Sequence, residues 1–296
     1  MPAETITASP TEQIKLRGHV FYIKRDDRID PLLSGNKYRK LYSLITMPAG
    51  HYRRIVSYGG SQSNAMLSIA ALCHRKGWAF DYTSKPLPAT LKSAPDGNLH
   101  MALSFGMRLH EVAHAQYDDA IRQLAGVTEP DTLFLPQGGA DPLARRGITL
   151  LAGEIRAWLQ QNKLESLNVV TPSGTGTTAY YLATALPEAT VITAAMAGSE
   201  TYLRAQMQML GSIPENLRIL SHERKYHFAQ PYSALLEMYH ELISAGIEFD
   251  LIYGAPMWHT LLLQMEQISG PVLYVHSGGL IGNETMLARY RHKGLL

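Results

Sequence analysis

Short apolar, β-branched runs alternate along the chain with longer segments whose apolar residues recur at helical spacing. This alternation predicts βαβ units and mainly parallel sheets. Several runs are apolar without interruption, which is typical of strands that helices cover on both faces. Two helices stand out, at residues 64–77 and 147–164. The predicted strands are 19–26, 54–58, 78–83, 107–112, 132–136, 167–172, 190–196, 217–221, 249–253 and 271–277.

Ten strands are many for one open sheet, so we expect two sheets in two lobes. In such α/β proteins, ligands bind at the carboxyl ends of the strands, and often between lobes. The sequence therefore predicts a ligand site where strand ends of the two lobes meet.

Composition narrows the class of protein. The chain has 296 residues, of which 46% are hydrophobic, and its formal net charge is +2. That balance gives no reason to expect a nucleic-acid or membrane-surface partner. We expect no secretory signal, because the N-terminus lacks a basic region before an apolar core, and no membrane helix. The one cysteine, Cys73, lies on an apolar helix pattern and suits a reducing compartment, so a cytoplasmic location is expected.

The first glycine-rich turn, "SYGGSQSNAML", joins a strand to a helix. Gly59 and Gly60 end the strand, and the polar residues 61–64 then fall at the helix N-terminus. Unpaired N–H groups and the helix dipole favour an anion there. Capping would explain one such polar residue, but four in succession favour a ligand role.

Two further strands also end in small, hydroxyl-rich turns. "TPSGTGTTAYY" places residues 173–178 before a helix, where glycines and N–H groups suit a single phosphate. It is not a nucleotide P-loop, because no lysine precedes the Thr pair, and it lacks the third glycine of the dinucleotide fingerprint. The last turn, "YVHSGGLIGN", ends a strand in Ser277, whose hydroxyl could bond a ring nitrogen or a carboxylate.

Lys37 lies in "LLSGNKYRKL", between a Ser-Gly-Asn turn and the start of a helix. A lysine on a turn, a phosphate cradle and a hydroxyl at a strand end are the groups that pyridoxal 5′-phosphate (PLP) requires. The lysine would form a Schiff base with the aldehyde, and the ring would act as an electron sink. The combination therefore predicts a PLP enzyme.

At this point the sequence resembles a known family. The blocks "LLSGNKYRKL", "SYGGSQSNAM", "LPQGGADPLARRGI", "PSGTGTTA" and "HSGG" are similar to those of the D-cysteine desulfhydrase and 1-aminocyclopropane-1-carboxylate (ACC) deaminase family. The resemblance runs in order from about residue 24 to 283. It implies the two-lobed α/β fold of the tryptophan-synthase-β-like PLP enzymes (fold type II). Residues 41–147 would form the small lobe, and residues 1–40 and 148–296 the large lobe.

The resemblance also implies which residues hold the cofactor. Lys37 would be the Schiff-base lysine, and Lys40 would approach the phosphate. Asn64 would bond the ring hydroxyl, and Ser277 would face the pyridine nitrogen. The phosphate cradle would consist of Gly174, Thr175, Gly176 and Thr177.

Other matched residues would contact the substrate. Gln62 and Ser63 would hold its carboxylate, with Ser63 also taking part in proton transfer. Tyr253 would stack near the substrate and carry protons, although a strand-end aromatic without a catalytic role is equally consistent with the residues. Lys37 would move the Cα proton. The resemblance further implies a homodimer acting on a small amino acid.

The chain departs from the family pattern after Tyr253. ACC deaminases have glutamate at the next position, where this chain has Gly254, and residues 255–257 replace a typical Gly-Lys pair. The lost carboxylate puts ring opening in doubt, and the hydroxyl residue of D-cysteine desulfhydrases is missing too. The reaction expected is β-elimination that gives a 2-oxo acid and ammonia. ACC deamination, or a non-catalytic amino-acid or PLP-binding protein, remains as the alternative.

The segment "HEVAH", residues 110–114, matches the zinc-protease pattern and suggests a third class, a zinc hydrolase. That motif works only on a helix, where both imidazoles share a face. Here it begins inside a β-like run and no third ligand stands out. We therefore expect a strand end with surface histidines and no metal.

Overall fold

The computed structural model describes residues 8–126 and 129–296. Its strands are β1 Thr11–Leu16, β2 His19–Lys24, β3 Arg54–Tyr58, β4 Ala79–Ser84, β5 Arg108–Glu111, β6 Thr132–Leu135, β7 Asn168–Val170, β8 Thr190–Ala194, β9 Leu217–Leu220 and β10 Val272–Val275. Its helices are α1 Asn36–Thr46, α2 Asn64–Lys76, α3 Ala89–Ser93, α4 Gly97–Ser104, α5 Tyr117–Ala125, α6 Ala144–Gln161, α7 Thr177–Ala185, α8 Glu200–Gln208, α9 Ser233–Ser244, α10 Gly254–Leu262 and α11 Gly282–His292.

The strands form two sheets, as the pattern predicts. The larger has six strands in the order β1-β2-β10-β7-β8-β9, and the smaller has four in the order β5-β4-β3-β6. Every pairing is parallel except that of β1 with β2. Helices connect the parallel strands, so the predicted α/β class is confirmed.

The division of the chain into lobes stays a prediction. All strands of the smaller sheet lie within residues 41–147, and all strands of the larger sheet lie outside that range. Both proposed boundaries fall inside helices, since α1 spans position 40 and α6 spans position 147. These two helices pack against each other, so the connection between the sheets is built from helices.

One predicted strand, residues 249–253, is wrong. The segment forms a turn, because the buried carboxylate of Asp250 accepts hydrogen bonds from the backbone N–H groups of Ile252, Tyr253 and Gly254. Those bonds prepare the start of α10. The sequence analysis misses one strand, β1, because its polar and apolar residues alternate and form no continuous apolar run. β1 pairs with β2 as an antiparallel hairpin at the edge of the sheet, through a turn at Arg17 and Gly18, which both have positive φ.

Alternate residues of the central strands face different cores. In β7, Val169 packs in one cluster and Val170 in another, and Leu273 and Tyr274 of β10 divide in the same way. This two-residue period shows that helices cover both faces of the larger sheet. A third cluster fills the smaller sheet's side and includes the predicted core residue Cys73. No helix in the described part of the chain has the length and apolar character of a membrane span.

A buried ion network fixes helix α1. The guanidinium of Arg39 lies 2.8 Å from a carboxylate oxygen of Asp26 and 2.6 Å from one of Glu154, and Lys24 lies 2.7 Å from Glu154. Arg39 and Asp26 have fully buried side chains. The network joins α1 to α6 and to the turn after β2. Its member on α1, Arg39, lies two residues after Lys37.

Replacing Arg39 by methionine should destabilise the protein severely. The fully buried Asp26 would lose its guanidinium partner, and breaking a buried pair costs about 3–5 kcal/mol. Urea unfolding followed by circular dichroism measures the change. The matched control is Arg53→Met, whose side chain is 75% exposed and pairs with Asp131; it should lose less than about 1 kcal/mol. Equal losses in the two variants would contradict the role of the network.

Candidate active site

A cavity of about 380 Å³ lies at the carboxyl ends of strands from both sheets. Its walls come from the segments that follow β3, β6, β7, β8 and β10, together with the start of α1 and two aromatic side chains, Phe228 and Tyr253. The position is that expected for a ligand site in an open α/β protein, and the volume suits a small cofactor with a substrate.

Lys37 is the second residue of α1, and its side chain lines this cavity. Its Nζ donates a hydrogen bond of 2.8 Å to Oδ1 of the preceding Asn36. Burial lowers the pKa of Lys37 to about 8, while the negative charge of Asp250 acts in the opposite direction. The amine is therefore unprotonated in a substantial fraction of molecules near neutral pH, as a nucleophile for an aldehyde must be.

The turn before Lys37 depends on Gly35. Its φ is +54°, and a Cβ there would overlap the backbone of Ser277. The close approach lets the N–H of Asn36 donate to the carbonyl of Ser277 at 3.3 Å. Two of the predicted site turns, around residues 37 and 277, are thereby joined directly.

Lys40 also lines the cavity, one helical turn after Lys37. Its Nζ donates to the carbonyl of Gly138 at 3.0 Å. Burial, and secondarily the charge of Lys37, hold the pKa of Lys40 well below its usual range. No Asp, Glu or Arg side chain is among the cavity-lining residues of the described chain, so this pair of amines favours an anionic ligand.

The turn between β7 and α7 forms a cradle of N–H groups and hydroxyls. Gly176 precedes α7 with φ +77°, and no side chain caps the helix, so the first N–H groups of α7 remain available. Thr175 and Thr177 bond each other through their hydroxyls at 3.0 Å. The hydroxyl of Thr178 is buried and has no partner among the described residues. A phosphate would satisfy these donors, so the residues present fit that end of PLP.

Ser63 and Asn64 begin helix α2, and both line the cavity. The hydroxyl of Ser63 accepts from the N–H of Met66 at 3.3 Å and so caps the helix, the structural role that the sequence also allowed. Gln62 is not among the lining residues. Its amide donates to Asp96 at 2.8 Å and accepts from the N–H of Asn98 at 2.9 Å, so its predicted contact with a substrate carboxylate stays a prediction.

The remaining predicted residues also lie on the cavity. Ser277 follows β10, and Tyr253 lies against the cradle, since a Cβ on Gly174 would fall 3.5 Å from its hydroxyl. Phe228 packs edge-to-face on the Tyr253 ring at 5.7 Å. Burial, and then the charge of Asp250, raise the pKa of Tyr253, so this phenol keeps its proton and can only donate it.

Sequence reasoning missed several functional contributors. One is Asp250, whose carboxylate accepts a hydrogen bond from the backbone N–H of Tyr253. Burial raises the pKa of Asp250 to about 6, although its three backbone hydrogen bonds and the charge of Lys37 oppose that shift. An aspartate four residues before the first residue of a helix is a capping signal that could have revealed it. The sequence indicates Asn36 only as part of the turn before Lys37. Gly138 and Phe228 gave no local signal, because they reach the cavity from distant segments.

The "HEVAH" segment lies away from a helix. His110 is on β5, and His114 begins a short 3₁₀ turn, so the two imidazoles do not share a helical face. His110 bonds the carboxylate of Asp81 at 2.8 Å. Within residues 8–126 and 129–296, no group of three His, Cys, Asp or Glu side chains is arranged to hold a metal ion.

A half-buried lysine whose amine has a lowered pKa, a second amine and a hydroxyl-rich cradle line one cavity. The profile of the family described as "Pyridoxal-phosphate dependent enzyme" matches residues 4–278. The chain belongs to this family. The predicted cofactor, PLP, and the predicted class, a PLP-dependent enzyme, are thereby confirmed.

Relatives within the PLP-dependent family differ in named activity. A Thermotoga maritima protein provisionally named 1-aminocyclopropane-1-carboxylate deaminase is 24% identical over 290 residues, covering 90% of both chains. The nocardicin C-9′ epimerase of Nocardia uniformis subsp. tsuyamanensis is 28% identical over 285 residues, covering 86% of this chain and 85% of its own. Deamination and epimerisation both occur among the named activities of proteins similar to this one.

Solved structures of other proteins share the fold of this chain. A crystal structure of an ACC deaminase homologue superposes with a TM-score of 0.75 at 20% identity, covering 97% of this chain and 95% of its own. A threonine deaminase from T.th. gives a TM-score of 0.66 at 16% identity, with 92% of each chain covered. The predicted fold type II architecture is confirmed by these likenesses.

Gly35→Ala should disrupt the site. The new methyl group would overlap the Ser277 backbone, and alanine is strained at a φ of +54°. We expect weakened PLP binding and lower stability, measured by absorbance titration of the apo-protein and by urea unfolding. Gly153→Ala in α6 is the matched control, because no atom lies within 4 Å of its Cβ position; it should bind PLP normally. Normal PLP binding in Gly35→Ala would contradict the close approach.

The rate of covalent PLP capture by the apo-protein should rise with pH and level off above about 8. Only the unprotonated amine attacks the aldehyde, and burial lowers the pKa of Lys37 to that value. Stopped-flow absorbance in the visible range measures the rate, with Lys37→Ala as the blank. A rate that kept rising toward pH 10.5, the ordinary lysine pKa, would show that burial does not shift this amine.

Proposed function

We propose that this PLP-dependent enzyme is a lyase that eliminates the β-substituent of a small, neutral amino acid. The Cα–H and Cβ–X bonds of the substrate break, HX leaves, and the aminoacrylate takes up water to give a 2-oxo acid and ammonia. The observation that carries the proposal is the Lys37 amine, held with a pKa of about 8 beside a phosphate-type cradle.

The residues of the chain have separable parts in this reaction. PLP, when bound, supplies an electron sink for the electron pair left at Cα. Lys37 Nζ takes the Cα proton, and a pKa near the working pH suits a general base. Lys40 and residues 174–177 hold the phosphate, Asn64 the ring hydroxyl and Ser277 the ring nitrogen. A neutral hydroxyl at the ring nitrogen protonates it less than a carboxylate would, which favours elimination over transamination.

The cavity wall indicates the substrate class. Its charged lining residues are the two lysines, so a substrate carboxylate is attracted and a second cation is not. Ser63, at the N-terminus of α2, is placed to hold that carboxylate. The remaining wall is aromatic, from Tyr202, Phe228 and Tyr253. These features favour a substrate with a small uncharged side chain.

Tyr253 is the proposed proton donor to the leaving group. Its raised pKa keeps the phenol protonated, and it lies on the cavity beside the cradle. The Asp250 carboxylate holds the Tyr253 backbone through a 2.6 Å hydrogen bond. A phenol on a backbone fixed in this way can donate its proton to a departing hydroxide and a hydrogen bond to a departing thiolate, whereas chloride leaves as the anion.

The position after Tyr253 argues against ring opening of ACC. A Cβ on Gly254 would lie 2.9 Å from Cβ of Phe249 and 3.0 Å from Oδ2 of Asp250. The backbone here therefore excludes the glutamate found in ACC deaminases, and its nearest carboxylate, Asp250, is already bonded to three N–H groups. Elimination needs no carboxylate at this position.

A substrate panel on the PLP-loaded protein tests the proposal. The panel contains both enantiomers of cysteine, serine and β-chloroalanine, together with ACC, and the readouts are 2-oxo acid, ammonia and the chirality of the remaining amino acid. We expect pyruvate and ammonia from at least one β-substituted substrate and no 2-oxobutyrate from ACC. Borohydride reduction of the PLP-loaded protein should label Lys37 in peptide mass spectra, and Lys37→Ala should abolish turnover.

The other outcomes are equally informative. Interconversion of enantiomers without a 2-oxo acid would overturn elimination in favour of epimerisation. Labelled Lys37 with no change in any substrate would favour the non-catalytic binding protein. Release of 2-oxobutyrate from ACC would show that ring opening does not need the missing glutamate. The homodimer and the cytoplasmic location remain predictions, separate from this test.

A further inference from the structure

We infer that Asn98 is a positioning residue that orients the amide of Asn64 so that its NH₂ group faces the cofactor cavity. Asn98 is the second residue of α4 and is fully buried. Its Nδ2 donates to the carbonyl oxygen of Gln62 at 3.0 Å and to Oδ1 of Asn64 at 2.8 Å. The inference rests on the proposed contact of Asn64 with PLP.

The hydrogen-bond pattern leaves one orientation for each amide. A backbone carbonyl can only accept, so the end of Asn98 that faces Gln62 must be its NH₂ group. That same NH₂ group lies against Asn64, which must therefore present its oxygen. The NH₂ group of Asn64 is thus turned the other way, toward the turn after β10, where a Cβ on Gly279 would fall 2.6 Å from it.

Asn98 is itself held on both sides. Its backbone N–H donates to Oε1 of Gln62 at 2.9 Å, and the Gln62 amide donates to Asp96 at 2.8 Å. The adjacent Gly97 lies against Thr285 of α11. The start of α4 is therefore fixed between the turn that carries the site residues and a helix that follows the last strand of the larger sheet.

The oxygen of the Asn98 amide indicates what the residue is for. Oδ1 is buried and has no partner among the described residues, and an unpaired buried acceptor costs stability. Turning the amide over would place Oδ1 of Asn98 against two other acceptors, the backbone carbonyl oxygen of Gln62 and Oδ1 of Asn64. Asn98 therefore uses the NH₂ group of its amide for both hydrogen bonds and leaves the oxygen unpaired, which is the arrangement that orients Asn64.

This orientation determines whether the Asn64 amide attracts or repels the ring oxygen of the cofactor. The PLP ring carries a hydroxyl beside its aldehyde carbon, and in its ionised form that oxygen only accepts. An Asn64 NH₂ group stabilises the ionised form, whereas an Asn64 oxygen would repel it. Asn98 thus acts on the ring through Asn64 and does not itself line the cavity.

A double-mutant cycle tests the inference without measuring turnover. The variants are Asn98→Ala, Asn64→Ala and the double variant, and the readouts are the PLP dissociation constant and the visible absorption band of the PLP-loaded protein. We expect each single variant to weaken PLP binding about tenfold, as loss of one hydrogen bond to a charged acceptor does, and to lower the visible band. The double variant should match Asn64→Ala, because Asn98 acts only through it.

Two controls keep the result interpretable. Asn216→Ala removes a half-buried amide that donates to the backbone carbonyls of three residues outside the cavity lining; it should reduce stability and leave the band and the affinity unchanged. If Asn98→Ala does not fold, Asn98→Asp keeps the shape, cannot donate when ionised, and should lower the band. An unchanged band and affinity in the Asn98 variants, or additive losses in the double variant, would overturn the inference. Elimination activity could stand or fall independently of either result.

Discussion

The position of Lys37 depends on the buried guanidinium of Arg39. Taking three charged side chains out of water is costly, and their mutual contacts offset that cost only if the geometry is good. Arg39 meets this condition with bonds of 2.6–3.0 Å to Asp26 and Glu154, directed along its planar fork. Because these partners belong to the turn after β2 and to α6, the start of α1 cannot rotate or slide without breaking the network. Lys37 is therefore held where Gly35 brings it against the turn after β10.

Electrostatics within the cavity follow from this fixed geometry. Burial lowers the pKa of both lysines, the charge of Lys37 lowers the pKa of Lys40 further, and Asp250 opposes the effect at Lys37. A phosphate group in the cradle would oppose the depression at Lys40, since an opposite charge favours the protonated amine. Lys37 can then remain the more nucleophilic of the two amines. One arrangement thus supplies both a cation for the phosphate and a neutral amine for the aldehyde.

Sequence alone could predict nine of the strands and the turns at their ends, because both depend on local patterns. Lys37, Asn64, Ser277 and the cradle all lie on such turns. Side-chain direction within a turn is not local: Gln62 and Ser63 are neighbours, yet only Ser63 lines the cavity, because Gln62 is bonded to the start of α4. Asp250 and Asn98 could not be assigned roles for the same reason, since each acts through residues that only the folded chain brings near. The strand predicted at residues 249–253 is wrong, because three backbone N–H groups bond to the buried Asp250 carboxylate and form a turn within this apolar run.

The residues that hold PLP and those that set the reaction come from different parts of this fold. An ACC deaminase homologue that is only 20% identical superposes with a TM-score of 0.75, so very different sequences share this fold. The wall that we propose meets the substrate comes instead from Gly198, Tyr202, Phe228 and Tyr253. Its sequence can change without disturbing the network around Arg39 or the cradle. Gly254, next to Tyr253, brings no carboxylate, while Lys37, Asn64 and Ser277 still line the cavity; under the proposed function this favours elimination over ring opening.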